Sequence, residues 1–124
     1  MTKPLALVFY ENLLPGSQLV NRLHDLGYRV VTVTSQADFL PAVEREMPMV
    51  IVADIALRDG DICQDIVGLR QNPVVQHIPV IGFTSTRNVK LLEAARLAGA
   101  TLVASDSAIL EQFPRLLDQA LEVN

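Results

Sequence analysis

The sequence predicts a doubly wound α/β/α sandwich, three layers deep, with a five-stranded parallel sheet in the middle. Short apolar runs rich in Val, Ile and Leu alternate five times with longer stretches of helical period. These runs lack alternation at every second residue, as strands covered on both faces do. Glycine, proline and short polar residues punctuate the joints. With right-handed crossovers between successive βα units, the flavodoxin-like strand order 2-1-3-4-5 is the usual solution for five strands.

The first strand is expected over residues 5–10. Pro15 and Gly16 then open a helix whose Leu19, Leu23 and Leu26 lie on one stripe, and Gly27 follows as a left-handed stop. Residues 29–33 form the second strand, after which Ser35 or Asp38 can cap a helix marked by Phe39, Val43 and Met47. The third strand covers residues 49–53 and leads to a helix carrying Ile62, Ile66 and Leu69. Pro79 starts the fourth strand, 80–83, where a missing N–H is tolerated, and Leu91, Ala95 and Ala98 mark the helix that Gly99 ends. Residues 101–104 form the last strand. Ser105 or Ser107 can cap a fifth helix bearing Phe113, Leu116, Leu117, Ala120 and Leu121.

A chain of 124 residues fits one compact domain, with no room for a second. Its net charge of −4, with ten basic residues scattered among fourteen acidic ones, gives no footprint for nucleic acid or for a membrane surface. The first apolar run is too short to span a membrane, and Glu11 and Asn12 interrupt it before any cleavage site, so the cytoplasm is the expected location. A lone cysteine, Cys63, forms no internal disulfide and is expected to pack as a small core residue. His24 and His77 lack partners at ligand spacing, and the Asp59-Gly60-Asp61 turn lacks the further carboxylates of a calcium loop.

Polar residues at the strand ends carry the chemistry. Asp54 closes the third run at the carboxyl end, where open α/β sheets bind ligands; Glu11 follows the first run and Thr84-Ser85 end the fourth. A phosphoryl-accepting carboxylate needs exposure at such an end, a hard cation to offset charge, and donors for the other phosphoryl oxygens. Asp54 suits the nucleophile. Glu11 and Asp54, with a backbone carbonyl such as that of Ala56, suit weak magnesium ligation, and Thr84 can donate its hydroxyl. Plainer roles stand beside these: Asp54 as the cap of the following loop, Glu11 as a helix-dipole partner, and Thr84-Ser85 as the cap of the fourth helix.

In order along the chain, Leu26-Gly27-Tyr28-Arg29-Val30, Pro48-Met49-Val50-Ile51-Val52-Ala53-Asp54-Ile55, Leu69-Arg70, Ile78-Pro79-Val80-Ile81-Gly82-Phe83-Thr84-Ser85 and Ala98-Gly99-Ala100 resemble segments of the receiver domain of bacterial response regulators. The resemblance spans essentially the whole chain. It implies that Asp54 is the phosphoacceptor and that Thr84 turns inward upon phosphorylation. It also exposes departures. The family's acidic pair stands here as Tyr10-Glu11, the lysine-proline pair after the fifth strand is replaced, with Ser105 or Asp106 in the slot, and Val103 takes the place of the switch aromatic. The loop after Asp54 is shorter than the family's, with Arg58-Asp59-Gly60 where the family has a longer proline-containing segment.

The implied function is a degenerate receiver module of a two-component pathway, working by protein–protein contact with a histidine kinase or downstream effector. The fourth helix, fifth strand and fifth helix are the implied surface for a partner or homodimer, with Arg87, Lys90, Glu93 and Arg96 along the fourth helix; a plain solvated face is the competing reading. Two alternatives remain: a working phosphoacceptor modified at Asp54, and a flavodoxin-like small-molecule binder. The lack of a Gly-rich phosphate loop counts against the second.

Overall fold

In the computed structural model, which describes residues 3–57, 60–84 and 88–122, the five strands form one parallel sheet in the order β2-β1-β3-β4-β5. The strands are β1 (Leu5–Phe9), β2 (Arg29–Val33), β3 (Val50–Asp54), β4 (Val80–Thr84) and β5 (Leu102–Ser105). The helices are α1 (Leu13–Asp25), α2 (Phe39–Glu46), α3 (Ile62–Gln71), α4 (Val89–Ala98), α5 (Asp106–Glu111) and α6 (Phe113–Leu121). A 3₁₀ turn, Gln36–Asp38, precedes α2.

The apolar runs are continuous because both faces of the sheet are covered. Along β1, Leu7 and Phe9 enter one core with Ile51, Phe39, Val43, Ile66 and Leu69. Ala6 and Val8 enter the other, with Val52, Leu19, Leu23, Phe113 and Leu117. Successive side chains on a strand point to opposite faces, so α2, α3 and α4 cover one side and α1, α5 and α6 the other. The expected three layers and strand order are therefore present.

Several local expectations are corrected. The fifth helix is broken in two at Gln112 (φ −118°, ψ 22°), because Pro114 has no N–H to bond back to Leu110 in a continuous helix. Its apolar residues still fall on one buried stripe, since α6 re-forms one residue later. Neither Ser35 nor Asp38 makes a side-chain cap bond; the turn closes through the backbone instead, from Asp38 N to Ser35 O at 3.0 Å. Leu26 and Met47 lie past their helices and are 43% and 44% exposed, Met47 taking the left-handed stop conformation itself (φ 49°). At the N-terminal end, Leu14 is extended and regular helix begins with Pro15 and Gly16, as the sequence leads one to expect.

Cys63 is a buried free thiol. Burial, reinforced by the Asp61 carboxylate that accepts from its N–H, raises its pKa to about 11, which keeps it protonated and inert. Asp61 is thus a helix cap for α3. His24 and His77 are both exposed. No helix among the described residues is long and apolar enough to cross a membrane.

Candidate functional site

The carboxyl ends of the strands enclose a crevice of about 140 Å³ lined by Asn12, Leu14, Pro15, Asp54, Ala56, Thr84, Asn88 and Asp106. Its position follows from the topology. The chain leaves β1 for one face of the sheet and leaves β3 for the other, so the loops after these neighbouring strands part and leave a gap at the switch point. The segment after β1 supplies Asn12, Leu14 and Pro15, the end of β3 supplies Asp54, the end of β4 supplies Thr84, and the start of α5 supplies Asp106.

Asp54 is 4% exposed, and its Oδ1 accepts from the backbone N–H of Ala56 at 2.9 Å. The local turn is therefore real, and the same carboxylate still lines the crevice. Burial raises its pKa to about 6; the Ala56 N–H opposes this, while the Asp106 and Glu11 carboxylates add to it. The backbone N–H of Glu11 is a further, weaker stabiliser of the charged form. Asp106 itself is shifted upward by burial.

Thr84 sits opposite Ser105 across the β4–β5 ladder and is 2% exposed. Its Oγ1 has no hydrogen-bond partner among the described residues. It does not cap the fourth helix, which begins after Asn88, so the capping role is corrected for Thr84. A buried hydroxyl without a partner costs about 1–3 kcal/mol, which makes it an informative exception.

The structure separates the two residues that the sequence left together at the end of β5. Ser105 is the last strand residue, and its Oγ accepts from Ala108 N at 3.1 Å as the cap of α5. Asp106 is the residue that faces Asp54 and Thr84 across the crevice. At the first position of α5 a carboxylate also suits the helix dipole.

Glu11 is exposed on the rim, and Tyr10 fills the position before it. The Tyr10 ring lies against Gly16 so closely that a Cβ there would run into it. Tyr10 packs against the α1-side core. Val103 also packs in a core, beside Gly82 and against the side covered by α3 and α4. Ser85, Arg87, Arg58 and Asp59 lie outside the described residues. On α4, Lys90, Glu93 and Arg96 are exposed, with Arg96 paired to Glu93 at 2.6 Å.

Asn12, Leu14, Pro15 and Asn88 line the crevice without having been singled out in the sequence. Their one signal was position, each lying in the loop or at the first turn of the helix that follows a strand's carboxyl end. For magnesium, the candidate ligands are Asp54, Asp106 and the Ala56 carbonyl, with Glu11 on the rim. Among the described residues no group of three acidic, histidine or cysteine side chains converges to hold a metal ion. This donor set fits a weakly held ion that keeps several of its own waters, the manner in which magnesium binds one or two carboxylates.

A larger cavity, about 500 Å³, opens at the opposite end of the sheet beside Met49, Arg70, His77, Pro79 and Thr101. Its half-buried arginine is already engaged. Arg70 donates to the carbonyls of Gly99 at 2.9 Å and of Gln76 and Ile78 at 2.7 Å, so it brackets loops instead of facing the cavity as a binding group. The carboxyl-end crevice is the candidate site.

No family model and no curated protein matches this chain. Solved structures do match its fold. The receiver domain of a sensor histidine kinase from Pseudomonas aeruginosa, with a magnesium ion coordinated in its active-site cleft, superposes with a TM-score of 0.86 at 20% identity, over 97% of this chain and 98% of that one. The receiver domain of NtrX from Brucella abortus gives 0.85 at 18% identity, over 96% and 99%. Chemotaxis protein CheY4 of Vibrio cholerae gives 0.84 at 17% identity, over 97% and 100%. The chain therefore has the fold of response-regulator receiver domains.

Proposed function

We propose that the chain, as one domain over residues 1–124, is a degenerate receiver module of two-component signalling that acts in the cytoplasm chiefly through protein contact. Asp106 carries the proposal: the crevice that holds Asp54 and Thr84 is lined by two carboxylates and, among the described residues, by no lysine or arginine. Phosphoryl transfer to Asp54 would bring an anionic group beside Asp106 in a partly desolvated site. Electrostatic complementarity to the transferring group is the main source of catalysis in such reactions. Here its sign is reversed.

Magnesium, when bound, would supply the missing positive charge, with Asp54, Glu11 and the Ala56 carbonyl as its holders. The magnesium-bearing Pseudomonas receiver domain supports that assignment by analogy. Thr84 would donate to a phosphoryl oxygen, and its buried unpartnered hydroxyl favours a second reading, a working phosphoacceptor. We rank it lower because Asp106 opposes it and Val103 offers no aromatic to report the change. A histidine kinase or downstream effector is the expected partner, and α4, β5 and the split α5–α6 segment are the expected docking or homodimer surface.

The test is intact-mass spectrometry of wild type and Asp54→Asn after incubation with magnesium and acetyl phosphate. No phosphoryl adduct on either protein is expected. An adduct confined to wild type would select the phosphoacceptor reading.

A further inference from the structure

The crevice is complementary to a cation, and its rim indicates what carries that cation. Asp54 and Asp106 are acceptors when ionised, and the Thr84 hydroxyl, 2% exposed, has no partner among the described residues. An ammonium offers three donors and no acceptor, the inverse of this set. A phosphoryl group would instead bring acceptor oxygens against two carboxylates, with the Thr84 hydroxyl alone able to donate to it. The volume, about 140 Å³, is on the order of four or five waters, which suits the tip of one long side chain.

Large apolar side chains stand bare at one lining residue and next in sequence to two. Leu14 lines the crevice and is 64% exposed; its neighbour Leu13 is 68% exposed, and Val89, next to the lining Asn88, is also 68% exposed. A hydrated metal ion or a free polyamine would leave these three uncovered. A polypeptide would not, because its flanking apolar residues can cover the rim while the methylene stem of a lysine follows Leu14 inward.

We propose that the crevice receives a lysine side chain from a partner polypeptide, its ammonium meeting Asp54, Asp106 and Thr84 and its apolar neighbours covering Leu13, Leu14 and Val89. The proposal rests on the contact-module reading and gives that contact a chemistry. A lysine suits the small crevice better than an arginine, whose planar fork needs a wider and flatter acceptor face.

Two acetylated, amidated peptides with identical leucine-rich flanks, one with lysine and one with norleucine at the centre, test it by fluorescence anisotropy on the full chain in chelated buffer. The lysine peptide is expected to bind about tenfold more tightly, as desolvated charge pairs allow. Asp106→Asn and Thr84→Val should each erode that preference, Thr84→Ser should keep it, and Asp106→Lys should abolish it. Equal affinities of the two peptides, or no binding by either, would overturn the proposal. Saturation by ethylammonium chloride as tight as that by the lysine peptide would also overturn it, assigning the crevice to free amines. Failure here is distinct from failure of the parent reading: equal peptide affinities leave an unlabelled Asp54 in place, whereas acetyl phosphate labelling of Asp54 does not alter the peptide comparison.

Discussion

At Asp54 the electrostatics of the crevice bear directly on stability. Its pKa stands at about 6 in the folded chain against an ordinary value of 3.8, mainly through burial, with the Asp106 and Glu11 charges adding to the rise. Between those values the folded state holds a proton that the unfolded chain has released. Stability therefore falls as pH rises through this window and stays lower above it. A rise of this size corresponds to about 3 kcal/mol at neutral pH. Asp54→Asn removes the charge and keeps an oxygen for the Ala56 N–H, so in chelated buffer at about pH 7.5 it is expected to be more stable than wild type by up to about 3 kcal/mol. That advantage should shrink towards zero near pH 4. Urea titrations of both proteins across this range check it; a wild type more stable than the variant at the upper end contradicts it. Asp54 and Thr84 were legible from the sequence because each ends a continuous apolar run. The slot after β5 was not, because one residue decides which side chain enters the crevice. The need of α5 for a cap settles it, taking Ser105 and leaving Asp106.

At the scale of elements, the strands were read nearly to the residue, since unbroken Val/Ile/Leu runs admit few other conformations in a covered sheet. The helix ends were less legible. Leu26 and Met47 continue the apolar spacing of α1 and α2, yet lie beyond the last turn and are exposed. The last helix divides at Gln112 because the stripe through Ile109, Phe113 and Leu117 is compatible with a continuous helix while the missing N–H of Pro114 is not. The join between β1 and α1 carries a packing device that sequence patterns did not show. The Tyr10 ring occupies the space a Cβ on Gly16 would need, with ring atoms close to the backbone that have little freedom to yield. Gly16→Ala is therefore expected to destabilise the fold by about 1–3 kcal/mol, despite alanine's better helix propensity. Equilibrium unfolding measures the change. Tyr10→Ala in the same background should recover part of the loss, and a Gly16→Ala protein as stable as wild type would refute the contact.

Across the whole molecule, one sheet with helices on both faces gathers the ends of β1, β3, β4 and β5 around a crevice, and the fold was legible because every level of pattern agreed on it. Function is less tied to the fold, since the same scaffold hosts different sites. In this chain Asp54 and Thr84 share the crevice with a second carboxylate, Asp106, and in the proposed reading Asp106 takes the lysine's slot that the receiver-domain resemblance left to Ser105 or Asp106. If that carboxylate is what prevents phosphoryl transfer, its replacement should permit it. The most direct measurement is the phosphoryl occupancy of Asp54 by intact mass, for wild type and Asp106→Lys side by side with the same magnesium and acetyl phosphate. The account predicts an adduct on Asp106→Lys, lost in the double variant with Asp54→Asn, and none on wild type. Wild type labelled as readily as Asp106→Lys would contradict it.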